Sequence, residues 1–462
     1  MSSLIVTTEY ELNQVTPPNL PLATDAYSKA YQDQLNNVLR LYFNRLNAIL
    51  GQLVATSTSV PITFPPTALD AFGRQRVSEP YTLFDSQNRY ASDNQFSTST
   101  SGTGATTFNT NQSSVSLSVT AGGVGSAVRQ TFRNMLYQPG KGLLVLATFV
   151  MDTSDSANLT QRVGYYNTQN GVFFSKIDGT KSFTLRSNTS GTPSDARTVN
   201  QADWNGDKLD GTGASGYTLD LSHPQILWMD FEWLGVGSVR CGFIINGEYI
   251  VCHTFDTANT YGTTVYMTTA ILPVRYEIVS TSAVAASLTQ ICSSVISEGG
   301  FEATSIEHVA RRTTVLGTIN TAANFLPVVS IRLASTALGA VVLPNRIQFQ
   351  PTTLQNYEIA LIKNPTLTGA SWTAVSSDAN VEYDVSATAI ATAGTIVQSG
   401  YISSSGGGGQ SSTLAPTGFN WDEQLGVSLA GVSDIYTLGV RTISGATTGD
   451  GVGSISFYDL TQ

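Results

Sequence analysis

Charge is scarce in this sequence. Asp, Glu, Lys and Arg make up 12% of the 462 residues, about half the share usual in soluble domains. With 33 acidic and 23 basic side chains, the net charge is −10. A chain so short of bases has no patch to neutralise a run of phosphates, which argues against a nucleic-acid partner. Cysteine and histidine number three each, too few for a disulfide framework and poor material for a Cys/His metal site, so no cofactor is expected. No apolar run approaches the roughly 20 residues of a membrane span. The stretch from Met1 to Tyr10 has no basic start followed by an apolar run. Neither a membrane partner nor a secretion signal is therefore expected.

Ser, Thr, Asn, Ala and 41 Gly fill the space left by charge. Small, neutral, hydroxyl-bearing side chains suit β-sheet surfaces and close-packed interfaces, whereas cytosolic enzymes keep themselves in solution with charge. The length allows two to four domains and large cores. Residues 1–23 are polar, contain Pro17, Pro18 and Pro21, and read as an extended arm. One helix is predicted over 25–50, with Thr24 or Asp25 as its cap and Gly51 where a terminating glycine would stand. Tyr31, Leu35, Val38, Tyr42, Leu46, Ile49 and Leu53 recur at steps of three and four, the last just past the predicted end. Leu39, Leu41, Phe43 and Leu50 widen that stripe. Either the chain's own β domain or identical helices from neighbouring subunits must cover it. The linker at 60–67, with Pro61, Pro65 and Pro66, stiffens the chain and favours the second. The width of the stripe suits three helices, so the chain itself is the expected partner, as a homotrimer.

Beyond the linker the period changes from helical to two. Segments 114–119, 142–150, 226–234, 239–245, 248–255 and 328–333 read as strands bounded by turn residues. Many short strands without intervening helices imply antiparallel sandwiches or jelly rolls. The expected fold is mainly β: an N-terminal α-helix followed by two antiparallel β-sandwich or jelly-roll domains. The divisions are an arm and oligomerisation helix at 1–59, the linker at 60–67, a central jelly roll at 68–300, a connector at 301–317 and a C-terminal sandwich at 318–462. Stretches 97–104 and 403–412 read as mobile low-complexity loops.

Chemistry has few footholds. Asn246-Gly247 is a type I′ hairpin signal; if it forms the turn, Cys241 and Cys252 face each other about 5.5 Å apart at Cα. A disulfide is geometrically allowed there, but free, facing thiols are expected of a chain folding in a reducing compartment. Asp230 and Glu232 are two apart on a strand, as the carboxylate pair of a retaining glycosidase would be. Only one such pair exists, and a structural role is expected of it. Asp203, Asn205, Asp207 and Asp210 lie in one Gly-rich loop, where Leu209 interrupts any calcium spacing. Turn formation is the expectation there too. Gly122-Gly-Val-Gly-Ser lies between strands, not at a strand-to-helix phosphate loop, and no Gly-x-Ser-x-Gly elbow surrounds any serine.

Several stretches resemble a group of tailed-bacteriophage virion structural proteins, cyanophage-like in character. They are 70–87 (beginning Asp70-Ala-Phe-Gly-Arg-Gln-Arg-Val), 128–141 (Val128-Arg-Gln-Thr-Phe-Arg) and 204–216 (Trp204-Asn-Gly-Asp-Lys-Leu). Residues 230–240, 364–372 and 381–386 extend the likeness, so it spans most of 70–390. The resemblance implies a non-enzymatic particle component with other virion proteins as partners, located in the virion and assembled in the host cytoplasm. A trimeric fibre or tail-associated appendage is the first expectation. A capsid decoration protein and a module binding host-surface glycan are the alternatives. The hairpin region 235–255 also resembles concanavalin-like jelly rolls in pattern, a fold that does not by itself establish function.

Overall fold

The computed structural model describes residues 18–22, 26, 28–58, 79–302, 304–320, 325–403, 412–414, 420–443 and 448–461. The side chains of 48–58 and 412–414 are outside that set. The chain divides into two compact units, Met1–Val77 and Ser78–Gln462.

In the first unit the helix runs Lys29–Thr58, about 45 Å at a 1.5 Å rise. It starts and ends later than the predicted 25–50. Ser28 caps it: its Oγ accepts the Tyr31 N–H at 3.4 Å and its carbonyl accepts the Gln32 N–H at 3.1 Å. Thr24 and Asp25 lie outside the described residues. Gly51 is interior rather than terminal. A mid-helix glycine costs about 1 kcal/mol against alanine, and the apolar period continues across it through Leu53.

The second unit contains two antiparallel sandwiches. In the central one, sheet one is ordered Glu248–Phe255, Val239–Ile245, Gln225–Phe231, Leu143–Met151, Ala286–Ser297, Ser114–Val119, Ala105–Asn109, with Tyr81–Gln87 also on Ala286–Ser297. Sheet two is ordered Ser194–Asn200, Thr180–Ser187, Gly171–Ile177, Leu159–Tyr166, Val274–Ser280, Gly125–Thr131, Phe96–Gly102. Period-two patterning places the core. Along Leu143–Met151 the odd-numbered residues Leu143, Val145, Ala147, Phe149 and Met151 are buried and the even ones half-buried. They join Val163, Tyr165, Phe174 and Ile278 of the opposing sheet in one core.

The C-terminal sandwich pairs sheet three (Glu307–Arg311, Gly449–Asp459, Val342–Pro351, Ser412–Leu414, with Leu316–Ile319 also on Gly449–Asp459) with sheet four. Sheet four is ordered Thr373–Ala374, Val381–Asp384, Leu326–Leu333, Ile435–Thr442, Asn356–Lys363, Thr395–Ser403. Val329, Ile331, Phe349, Tyr357, Leu438 and Ile455 are among its core residues. In each sandwich the last strand in sequence is the one with most partners. Ala286–Ser297 pairs three strands and so does Gly449–Asp459.

The fold is thus mainly β, a helix followed by two sandwiches. Two local readings differ. The stretch 97–104 is not a loop, since Phe96–Gly102 is an edge strand paired along its length with Gly125–Thr131. An edge strand that faces solvent needs no apolar face, so a Ser/Thr run forms it. The segment 301–317, read as a connector, already contains Glu307–Arg311, which belongs to sheet three. The linker at 60–67 and residues 404–411 lie outside the described residues.

The two sandwiches meet along 132–134 and 421–429. Phe132 O accepts the Val427 N–H at 2.7 Å, and Asn134 O accepts the Gln424 side-chain amide at 3.0 Å. Trp421 Nε1 donates to the Tyr81 hydroxyl at 3.0 Å, with its ring edge-on to Phe301. Buried Arg133 bonds Gln95 on one side and Asp422 on the other, the latter at 3.0 Å.

The hairpin confirms the turn and corrects the register. Asn246 and Gly247 both have positive φ, 53° and 87°, as a type I′ turn requires. Pairing runs as expected from Ile245↔Glu248 to Gly242↔Val251, then a bulge shifts it, and Cys241 faces His253 rather than Cys252. The cause is visible on both sides of the ladder. The Trp228 indole donates to Ile250 O at 3.2 Å over Gly242, where a Cβ would sit 1.8 Å from that oxygen. From the other side, Gly206 N–H and Asp207 N–H donate to Cys252 O and Val251 O, both at 2.9 Å. Asn205 closes both ways on Thr254 at 2.8 and 2.9 Å. The Asp/Asn/Gly loop therefore seals the open edge of sheet one. Asp207 holds the loop by accepting the Leu209 and Ser215 N–H groups.

Cys241, Cys252 and Cys292 are all free, the first two buried and the third exposed. Burial pushes both buried thiols up, Cys252 to about 12, so their reactive thiolate is scarce near neutrality. Thiol titration of the native protein at pH 8 should find one reactive cysteine, and titration in denaturant without reductant should find three. Cys292→Ser should abolish the native signal.

Candidate functional site

Asp230 is buried on strand Gln225–Phe231, opposite Arg240. Arg240 grips it with two bonds, Nε to Oδ1 at 2.8 Å and Nη2 to Oδ2. Glu232 lies beyond the end of that strand and is exposed. The carboxylate of Asp230 is thus committed to a cross-strand ion pair. A second catalytic look-alike is Asp220-Leu-Ser-His, where Ser222 Oγ and Asp220 Oδ2 both lie 3.1 Å from His223 Nδ1. In a triad the base uses one ring nitrogen for each partner; here both partners share one, so the cluster is a turn. Among the described residues no group of three or more His, Cys, Asp and Glu side chains is placed to hold a metal ion. No helix among them is long and apolar enough to cross a membrane.

A groove of about 780 Å3 opens between the 153–155 segment, the Gly179-Thr180-Lys181 turn and the 200–221 segment. Its charged groups hold its own walls. Lys176 Nζ pairs with Asp155 at 2.9 Å and donates to Asp152 O and Ser154 O. Lys181 Nζ donates to Leu219 O at 3.0 Å. Asp210 accepts from the Thr212 N–H and hydroxyl, and Asp220 does the same from Ser222. These bonds hold all three carboxyls, Asp155 included, below the usual carboxylate range. None is poised to move a proton near neutrality.

A second cluster was not foreseen in the sequence. On sheet two the Tyr166 and Phe173 rings pack at a 41° tilt with centroids 4.5 Å apart. Arg162, Arg186 and Arg275 lie over them at 5.1 to 5.9 Å. Glu277 accepts from Arg162 at 3.2 Å and from Arg275 and the Tyr166 hydroxyl at 3.1 Å, while Asp195 takes a two-pronged bond from Arg186. Every ion has its counter-ion, so the cluster rivets strands Leu159–Tyr166, Gly171–Ile177 and Val274–Ser280 together. Its members come from five strands, and no spacing along the chain announces it.

Of the residues expected in the oligomerisation stripe, Tyr31, Leu35, Val38, Tyr42 and Leu46 are on the helix and half-buried. Ile49 and Leu53 are also on it, with side chains outside the described set. Leu41 and Phe43 are 53% and 60% exposed.

No family model and no curated protein matches the chain. Solved structures similar in outline include the carbohydrate recognition domain of Emp47p (10% identity, TM-score 0.30, 50% of this chain and 99% of that one). Peanut lectin (11%, 0.28, 47% and 97%) and arcelin-5, a lectin-like defence protein of Phaseolus vulgaris (8%, 0.30, 48% and 100%), are others. At such identities and scores the likeness says nothing about ligand or chemistry.

The Glu277 cluster makes a pH prediction. Burial pushes its carboxyl up, but Arg275 and Arg162 outweigh burial and leave it below its usual value. A depressed folded pKa contributes stability above the unfolded value, about 4.3, and that stability is lost as pH falls through the folded one. Melting temperature should therefore drop from about pH 4 downwards. Glu277→Gln should melt lower than the parent at pH 7, with the gap closing at about pH 2 by scanning calorimetry. A constant gap would show that the charge is not the cause.

Proposed function

We propose that this chain is a non-enzymatic structural subunit of a virion. In this reading it associates as a homotrimer through the N-terminal helix and projects its paired sandwiches as a fibre or tail-associated appendage. The observation that carries the reading is the helix stripe. Tyr31, Leu35, Val38, Tyr42 and Leu46 fall on one face of a 30-residue helix, and none is buried in the single chain. Fully burying one such side chain is worth roughly 1.5–3 kcal/mol, and a bundle of identical helices supplies the cover. The motifs along 70–390 that resemble phage virion proteins support the setting. The junction between the sandwiches supports the mechanical role, because it makes one body of them. A capsid decoration protein would use the same surfaces to clamp neighbours, and a particle reconstruction separates the two.

The full chain should sediment as a trimer at micromolar concentration. Leu35→Glu combined with Tyr42→Glu should give a monomer whose near-ultraviolet circular dichroism, dominated by the sandwich aromatics, is otherwise preserved. A chain beginning at residue 60 should likewise fall to monomer. If the full chain is itself monomeric, the helical anchoring model is wrong.

A further inference from the structure

A smaller cavity, about 220 Å3, lies between the turn joining Thr180–Ser187 to Ser194–Asn200 and the segment after Glu248–Phe255. It is small beside the ~300–1,000 Å3 typical of sites for drug-sized ligands, and so of a size for one ring.

Three features distinguish it from the large groove. Tyr266, one of its lining residues, is 3% exposed, and its buried hydroxyl has no hydrogen-bond partner. That oxygen is sealed from solvent, so a ligand that can give or take a hydrogen bond satisfies it only as the cavity wall shifts to admit it. Arg197 also lines the cavity. Its guanidinium lies 4.1 Å from the Tyr261 ring centroid and 5.4 Å from that of Phe255. It donates to Thr257 Oγ1 and Asp256 O, both at 2.9 Å. These are neutral acceptors, and although the nearby Asp256 carboxylate acts on it through space, among the described residues this oriented cation has no carboxylate in ion-pair contact. Arg162, Arg186 and Arg275 on the same sheet all have one. The remaining wall offers the hydroxyls of Ser187, Thr189 and Ser194, and no acidic side chain is among the lining residues. Tyr261 is half exposed beside it.

An oriented guanidinium with donors to spare recognises a carboxylate. Hydroxyl walls and an unsatisfied phenol recognise a polyhydroxylated ring, and an exposed aromatic face packs against its C–H surface. We propose that this cavity binds a single uronic-acid unit of an acidic polysaccharide. Arg197 takes the carboxylate, Tyr266 a ring hydroxyl and Tyr261 the apolar ring face. No bond is made or broken. The proposal is independent of the trimer, because every residue it uses belongs to one chain's central sandwich.

The test is calorimetric titration of the full chain with trigalacturonate, with neutral maltotriose and inorganic phosphate as separate arms. Trigalacturonate should bind with a millimolar or tighter Kd, and the other two at least tenfold more weakly. Equal binding of maltotriose would remove the role of Arg197, equal binding of phosphate would reduce the site to an anion site, and no binding of trigalacturonate would end the proposal. Tyr266→Phe is the sharper variant, since deleting an unpartnered hydroxyl should leave melting temperature unchanged or raised. Affinity should nevertheless fall roughly fivefold or more. Unchanged affinity in that variant would overturn the assignment. Arg197→Gln should lose trigalacturonate binding while Arg186→Gln, on the same sheet but outside the cavity, keeps it. Sedimentation of the same samples reports the oligomer separately, so failure of one reading is not failure of the other.

Discussion

The second unit depends on a short strip of main chain that two sandwiches share. Phe132 O accepting from Val427, Asn134 O accepting from Gln424, and Arg133 reaching both Gln95 and Asp422 join cores that could otherwise fold apart. Arg133 is the decisive member. Its side chain is 7% exposed while Asp422 is 74% exposed, so the pair is anchored in the central sandwich and borrows a surface carboxylate from the other. Burial lowers the pKa of the guanidinium, and Asp422 is the largest opposing influence. An arginine this buried is costly to leave unpaired, so losing Asp422 would leave its charge uncompensated.

Strands were legible where the period was strong. The segments 114–119, 239–245 and 248–255 were placed to the residue, because apolar alternation and the Asn246-Gly247 turn mark them locally. The Cys252 bulge was not legible. It arises from a tryptophan on a neighbouring strand and a loop some 45 residues upstream, and no pair-counting from the turn contains either. Helix continuation through Gly51 was hidden for a related reason, since a glycine that would stop a short helix is tolerated in a long one. Ser/Thr-rich 97–104 reads as a loop because composition registers the absence of a core, not the presence of a hydrogen-bonded edge.

The candidate chemistry follows the same rule. Asp230, Asp207 and Asp210 each look available in sequence, and each is committed to a neighbour: an arginine in the first case, backbone N–H or hydroxyl groups in the others. Nothing in the sequence marks Arg197 and Tyr266, an isolated base and an aromatic among turn residues 69 positions apart. Which polar groups the fold satisfies and which it leaves open is set by the three-dimensional arrangement, not by spacing along the chain.

The placement of Ala286–Ser297 and Gly449–Asp459 at the centre of their sheets bears on how the chain is made. Tyr81–Gln87 waits for a partner more than 200 residues downstream, so neither face of sheet one can be completed while the intervening chain is still emerging from the ribosome. Long-range pairing of this kind folds slowly, with loop closure preceding any reward in contacts. Nascent strands left unpaired for that time risk joining the wrong neighbour. Strands such as Phe96–Gly102 and Ala105–Asn109, nearly all Ser, Thr, Gly, Ala and Asn, offer little apolar surface to such mispairing while they wait. The scarcity of charge is then balanced by hydroxyls that keep the unfinished sheets in solution until the keystone strand is synthesised.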